Sequence, residues 1–511
     1  MVTEKKATAA SVATLLIVCL VFFTDIANLG MANIALPTIK KELGYDEATL
    51  QWILTAYALS FGGFLMAGGR LGDIFGHRNV LICGMTLFNA ACILCALVND
   101  KIGLVVGRAF QGLGAALAIP PAQSLVSLSF QDPQSRVKAF ALWGAAGSTG
   151  FVFGPIVGGL FTSLVSWEWI FWFSLIVEGS LEIAALALLL SDNLPGAAPA
   201  TENGESKWSG LPIKLDILGT ALSVPGVILF VYALTTGNIH GWDKPDVIAT
   251  LVLAVLLIAA FVFVEVKVVS QPILPKYVWG DRTRMLGCVA GTLTYALWQG
   301  VNFLLTLQLQ SFGFSPLQTA LRFLPLGITA MVGNFVAPPL LKYVGARNMM
   351  LASWPIGLGG IILLDRMSSG QDYWRLCLPG MILYIAGINT IYFLGNVTVV
   401  ATATEKLQGT VSGVYNMFIN VGGAVLGLAV LTVIRDSVTA NHGGEGKPSA
   451  LLAGFRAGYY GSMAMCILGF ALSVWFFLSQ KPEEGQKTES ADEAGTNSAP
   501  NSAHEKREDA A

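Results

Sequence analysis

The stretch GGRLGDIFGHRN, residues 68 to 79, places Arg70, Asp73, His77 and Arg78 among four glycines between two long apolar runs. The rest of the chain makes that concentration of charge unusual. Only 12% of its 511 residues are charged and 54% are hydrophobic, whereas a soluble domain carries about 25% charged residues. The mean hydropathy is +0.64. Such a chain is a polytopic membrane protein, and this stretch is a loop between its second and third spans.

Working outward, apolar runs of about 20 residues can cross a bilayer as helices. The sequence offers fourteen, centred near residues 22, 60, 88, 115, 150, 180, 225, 257, 298, 330, 356, 387, 422 and 467. With the N-terminus inside, 19 of the 30 Lys and Arg lie in or beside inner segments and 9 in outer ones; Arg108 and Arg322 fall within spans. Basic residues favour cytosolic loops, so both termini are expected in the cytosol. The opening MVTEKKATAASVATLLIVCLVFFTDIANLG starts as a secretory signal would. Its apolar run continues past Asp25 without a convincing cleavage site, which makes it the first helix. All seven cysteines lie in or beside spans without metal-ligand spacing, so free buried thiols are expected. The sequon at Asn396 lies inside a span and should stay unglycosylated.

Composition divides the chain into a cytosolic N-terminus at 1–11, six helices over 12–191 and a polar, Pro/Gly-rich cytosolic linker at 192–213. Two inserted helices follow over 214–267, then six more over 283–479 and a disordered cytosolic tail at 480–511. The later helices echo the earlier ones. LLKYVGARNMML, residues 340 to 351, repeats the Gly-x-Arg-Asn of the opening stretch, with Gly345 and Arg347 matching Gly76 and Arg78. Repeated bundles around a central site are a common build of secondary transporters.

These residues carry a resemblance. Over residues 11 to 480 the sequence resembles the major facilitator superfamily, in its fourteen-span drug:proton antiporter branch, with a fungal-like character. Gly69, Leu71, Gly72, Asp73, Gly76 and Arg78 match the family's loop motif, with Ile74 and His77 standing where bases are common. GRAFQG, residues 107 to 112, resembles the fourth-helix motif, and GFVFGPIVGG, residues 150 to 159, matches the fifth-helix antiporter motif throughout. The resemblance implies an all-α membrane fold of two six-helix bundles plus two inserted helices. It also implies that Gly69, Asp73, Gly76 and Arg78 form a gating latch. The first helix departs from the branch: aligning NIALP puts Asn28 where an Asp is common and Gly30 where a Thr is common.

Each motif also has its own physics. Asp73 can accept hydrogen bonds from a neighbouring helix start and pair with a base. A positive-inside anchor is the other reading, but an anchor needs no Asp. Gly150, Gly154 and Gly158 form a small-residue stripe that lets backbones touch, and Pro155 removes one helical hydrogen bond; with Gly159 they make a bent, closely packed helix, whether for rocking or for packing alone. Charges inside a bilayer are costly and default to function. Asp25 lies about 20 Å along the first helix and Arg108 about 8 Å into the fourth, counting about 1.5 Å per residue. They either pair structurally or tune proton affinity. Glu178 and Glu182 share a face of the sixth helix, as a proton carrier or as hydrogen-bonded packing.

In the second half the polar residues within spans are neutral: Gln299, Asn302, Asn389, Tyr392, Asn416 and Asn420, joined by Trp298. They serve as interhelical glue singly, or as a set that lines a solute cavity. This makes the second half the better place for substrate and the first half for protons. GGEGKPS, residues 443 to 449, is a turn and not a phosphate loop, because Pro448 follows the Lys. Histidines 77, 240, 442 and 504 fall in loops or the tail, leaving little for catalysis. No enzyme activity, cofactor or nucleic-acid partner is expected. The main expectation is a monomer in the plasma-membrane bilayer that exports amphipathic drugs, toxins or metabolites against protons; movement of a small solute such as ammonium or borate is the alternative.

Overall fold

The computed structural model describes residues 9–45, 50, 52–189, 216–269, 280–444 and 446–479. The expected linker 192–213 and tail 480–511 lie outside the described residues. Within them the chain is a succession of long helices with no strand. The first six are α1 Ala9–Leu43, α2 Trp52–Phe75, α3 His77–Leu97, α4 Lys101–Ser129, α5 Pro133–Leu164 and α6 Trp169–Leu189. Next come α7 Ile217–His240 and α8 Pro245–Lys267, then α9 Arg282–Ser311, α10 Leu324–Val344, α11 Ala346–Asp365 and α12 Cys377–Gly395. A π turn, Asn396–Val400, extends α12. Helix α13 runs as Gln408–Met417, a π segment Phe418–Val425 and Leu426–Asn441; α14 is Pro448–Ser479.

Local chemistry sets the ends. Asp100, Asp132 and Asp281 cap α4, α5 and α9 by accepting from Gly103, Ser135 and Thr283 N–H groups at 2.8, 2.7 and 2.8 Å. Pro133 supplies the first residue of α5, where the missing N–H costs nothing. The sequence echo is present in the backbone. Gly76 at φ 89° separates α2 from α3 and Gly345 at φ 79° separates α10 from α11, a turn that a residue with a Cβ adopts poorly.

Thirteen helices among the described residues are long and apolar enough to cross a membrane. Helix α9 falls short on apolarity because Gln299, Asn302, Gln308 and Gln310 interrupt it. Arg322, expected within a span, ends a short helix Pro316–Arg322 ahead of α10, its guanidinium 3.7 Å from the Phe314 ring centre. Six cysteines are buried and free as expected; Cys83 is free but exposed.

Helices α1 to α6 pack on one another, as do α9 to α14. The halves meet along two lines, α2 and α4 against α13, and α5 against α10. One apolar core passes through both, with Phe22, Met66 and Trp143 from the first half against Val399, Val414 and Tyr415 from the second. Helix α7 lies beside α2 and α13, and α8 packs on α7.

Candidate functional site

Four helices of the first half enclose a polar centre. Asp25 of α1 is buried and accepts a hydrogen bond from the Tyr57 hydroxyl of α2. Arg108 of α4 has no exposed surface. Its Nε donates to the Ile53 carbonyl at 3.0 Å, and its Nη1 donates to Asn28 Oδ1 at 2.7 Å and Gln111 Oε1 at 2.6 Å. Asn28 in turn donates to Ser174 Oγ of α6 at 2.9 Å. The expected Asp25–Arg108 pairing is therefore indirect. Tyr57 stands between them, its ring 4.6 Å below the guanidinium and its hydroxyl on the carboxylate. Asn28, at the position where the branch commonly has Asp, is a direct partner of Arg108.

The two glutamates of α6 have different surroundings. Glu182 is held by the Thr86 hydroxyl and by Asn89 Nδ2 at 2.7 Å, both from α3. Glu178, one turn earlier, is buried with Oε2 unpartnered. It lines a cavity of about 10 Å³ together with Asp25, Val21, Phe88 and Ile119, the scale of a single water molecule. Asp25 and Glu178 thus face one small, mostly apolar space from two helices.

The charged stretch forms a contact between the halves. Asp73 Oδ1 accepts from the Gly409 N–H at 2.8 Å, and Oδ2 accepts from the Thr410 N–H at 2.7 Å and from the Thr410 hydroxyl. The carboxylate so caps the start of α13, where helix donors lack intrahelical partners. His77 Nε2 lies 3.6 Å from Asp73 Oδ1. A side chain at Gly69 would collide with the Gly409 carbonyl, so the two backbones touch. Gly76 makes the turn into α3, and Arg78 is buried beside it. Arg136 of α5 adds a second bond across the seam, donating to the Ala401 carbonyl at 2.6 Å. This end of the molecule, the latch end, is closed.

The small-residue stripe acts within the first half. A Cβ on Gly150, Gly154 or Gly158 would meet the α1 backbone at Phe23, Ala27 and Met31, while Pro155 packs on Gly30 of α1. Gly159 follows, half-buried. The stripe therefore fixes the helix that carries Asp25 and Asn28.

The second-half residues do not form one cluster. Trp298 meets Phe151 of α5 edge-on at 4.8 Å, and Tyr392 lies 5.7 Å from Tyr295. Asn389 donates to the Ala330 carbonyl of α10 at 3.2 Å. Gln299 is exposed, and Asn302 is buried with both amide atoms unpartnered. Asn420 donates to the Asn416 carbonyl at 3.0 Å, and Asn416 reaches across the seam to Gln123 of α4. Sequence reasoning missed Tyr57, Thr86, Asn89 and Gln123. Gln123 carries the clearest signal, a carboxamide set just after Pro120 and Pro121 in the second half of α4.

Comparison with known proteins agrees with this architecture. The Major Facilitator Superfamily model matches residues 18–427. A puromycin resistance protein of Streptomyces alboniger is 33% identical over 90% of this chain and 90% of its own length. A cephamycin export protein of Amycolatopsis lactamdurans is 30% identical over 92% of both chains. A major facilitator multidrug transporter of Aspergillus fumigatus is 30% identical over 84% of this chain and 80% of its own. Among solved structures, the human organic anion transporter MFSD10 superposes with a TM-score of 0.60 at 18% identity, over 91% of this chain and all of that one.

Proposed function

The chain belongs to the Major Facilitator Superfamily and is a transporter, not an enzyme; from that premise we propose that it exports amphipathic drugs, toxins or secondary metabolites in exchange for protons. We place it in the plasma membrane as a monomer, with both termini and the latch end in the cytosol. The observation that carries the coupling is the small, mostly apolar space that Asp25 and Glu178 share. A second negative charge in such a space is costly, so one proton moves on and off the pair. The relatives' names, puromycin resistance and cephamycin export, support the outward direction and do not favour movement of ammonium or borate.

In this reading a proton arriving at Asp25 removes the charge that Tyr57 and the nearby Arg108 hold in place. Helix α1 then settles differently. Because the glycine stripe locks α1 to α5, and α5 packs on α10 across the seam, the change reaches the contact between the halves. Opening the latch end frees the α13 start from Asp73. Trp298, Gln299, Asn302, Asn389, Tyr392, Asn416 and Asn420 then offer aromatic faces and amides to the solute.

The test is internal pH in proteoliposomes holding the purified protein, challenged with lipophilic cations, weak acids, ammonium and borate. The expected result is proton movement opposite to that of a lipophilic compound, abolished by Asp25→Asn in a variant that keeps its thermal transition. Normal coupled flux in Asp25→Asn refutes the assignment of Asp25, and solute flux without proton movement refutes the antiport.

A further inference from the structure

Gln123 is a buried carboxamide at the meeting point of three helices from both halves. Its Nε2 donates to Asn396 Oδ1 at the start of the α12 π turn. Its Oε1 accepts from the Ser412 hydroxyl and from Asn416 Nδ2, at 2.5 and 2.6 Å, both on α13. Asn396 is anchored to its own helix through the Tyr392 carbonyl at 3.0 Å, and Asn416 through the Ser412 carbonyl at 2.9 Å. A carboxamide oxygen has two lone pairs, and both are used. Gln123, Asn396, Ser412 and Asn416 are all buried, beside the core that joins the halves, where hydrogen bonds are stronger than in water.

Two features separate this fork from ordinary interhelical glue. All three of its partners lie on the other half of the molecule, so the halves cannot part here without breaking every bond of the fork. Both helices it grips change to π geometry beside the grip, at Asn396–Val400 and at Phe418–Val425. Such wide turns interrupt the regular hydrogen-bond ladder and are frequent at functional sites.

We propose that Gln123 is the centre of a second, uncharged gate, set roughly 3 to 10 Å deeper along α13 than the Asp73 latch, and that the two gates act in series on α13. Its purpose rests on the transporter reading, but its existence is tested without transport. Asp73 holds the α13 start by charge and helix capping; Gln123 holds its next turns by neutral bonds. Neither contact alone sets the closed state.

The experiment follows a thiol at the seam. Ala401→Cys places a cysteine where buried Ala401 is held across the seam by Arg136, in a background where exposed Cys83 is replaced by Ser. Buried Cys377 in α12 reports folding. Purified protein in nanodiscs, without substrate or gradient, is treated with a charged maleimide and both sites are read by mass spectrometry. Gln123→Leu is expected to speed labelling at position 401 about tenfold, leaving Cys377 unreactive. With Asp73→Asn added, the acceleration is expected to reach about a hundredfold, as for separate contacts on one two-state opening. Ser412→Ala removes one of the two donors to Gln123 Oε1 and is expected to give a smaller acceleration. An unchanged rate on Gln123→Leu overturns the proposal. Should Gln123→Leu expose Cys377 as well, Ser412→Ala decides: faster labelling at 401 alone upholds the gate, and no acceleration there overturns it.

Discussion

Glu178 and Glu182 occupy one helix face, yet Glu182 is hydrogen-bonded by α3 and Glu178 Oε2 is unpartnered. The four-residue spacing placed both on that face, but it could not say which one is satisfied, because Thr86 and Asn89 arrive from another helix. In Glu182→Gln the amide oxygen still accepts from Thr86, and its nitrogen can donate to Asn89 Oδ1, which is buried and unpartnered. This variant is expected to stay within about 0.5 kcal/mol of the parent in stability and to keep the pH dependence of flux. Glu178→Gln changes charge but hardly shape in the cavity it shares with Asp25. It is expected to fold with a similar thermal midpoint and to export with a rate that no longer responds to the proton gradient. Flux in proteoliposomes across a series of gradients checks both; coupling lost in Glu182→Gln and kept in Glu178→Gln reverses the assignment. Asp73 was more legible, because a lone carboxylate among glycines at a helix junction already implied a helix start as its partner. The identity of that start, Gly409 and Thr410, depends on how the halves face each other.

At the scale of an element, the α5 stripe illustrates what spacing can and cannot say. Glycines at 150, 154 and 158 announced a close helix contact, and the contact exists; that its partner is α1 is a matter of packing. A Cβ at Gly154 would run into the Ala27 carbonyl oxygen. Gly154→Ala must therefore push α5 from α1, at about 1 to 3 kcal/mol for overpacking, and should lower the thermal midpoint and the coupled flux together because Asp25 moves with α1. Gly359→Ala on α11 meets nothing within 4 Å and should leave flux unchanged while holding or raising the midpoint, since Ala is the better helix former. Thermal unfolding of the two variants in nanodiscs settles the contrast, and equal midpoints would remove the stripe's role in placing α1. Other elements were less legible. The apolar run centred near 422 gave no sign of the π segment Phe418–Val425, which packs on α9. Helix α9 was legible as the run centred near 298, although Gln299, Asn302, Gln308 and Gln310 lower its apolarity.

For the whole molecule, the surrounding lipid decides which apolar contacts matter. Lipid tails are as apolar as Leu, so burying an apolar side chain against another helix gains little by transfer and stabilises mainly through close packing. Helix α8 is the extreme case, with a hydropathy of 3.2 in a span only 17% buried. Helix α7 instead bridges the halves: Val227 and Val231 pack in one cluster with Leu59 of α2 and Val421 of α13. Helix α7 thus leans on the seam that Asp73 and Gln123 close. Val231→Ala, at a side chain 1% exposed, leaves a void that neither half can fill and is expected to cost about 1 to 2 kcal/mol. It should also speed thiol labelling at position 401 in the Ala401→Cys reporter, because the seam loses support. Leu256→Ala on α8, 61% exposed, exchanges a protein methyl surface for lipid and is expected to change stability by less than about 0.5 kcal/mol. Thermal unfolding and labelling of the two variants, side by side in nanodiscs, provide the check. If Val231→Ala lowers stability without changing the labelling, α7 is a passive cover, and opening is governed by the two gates on α13 alone.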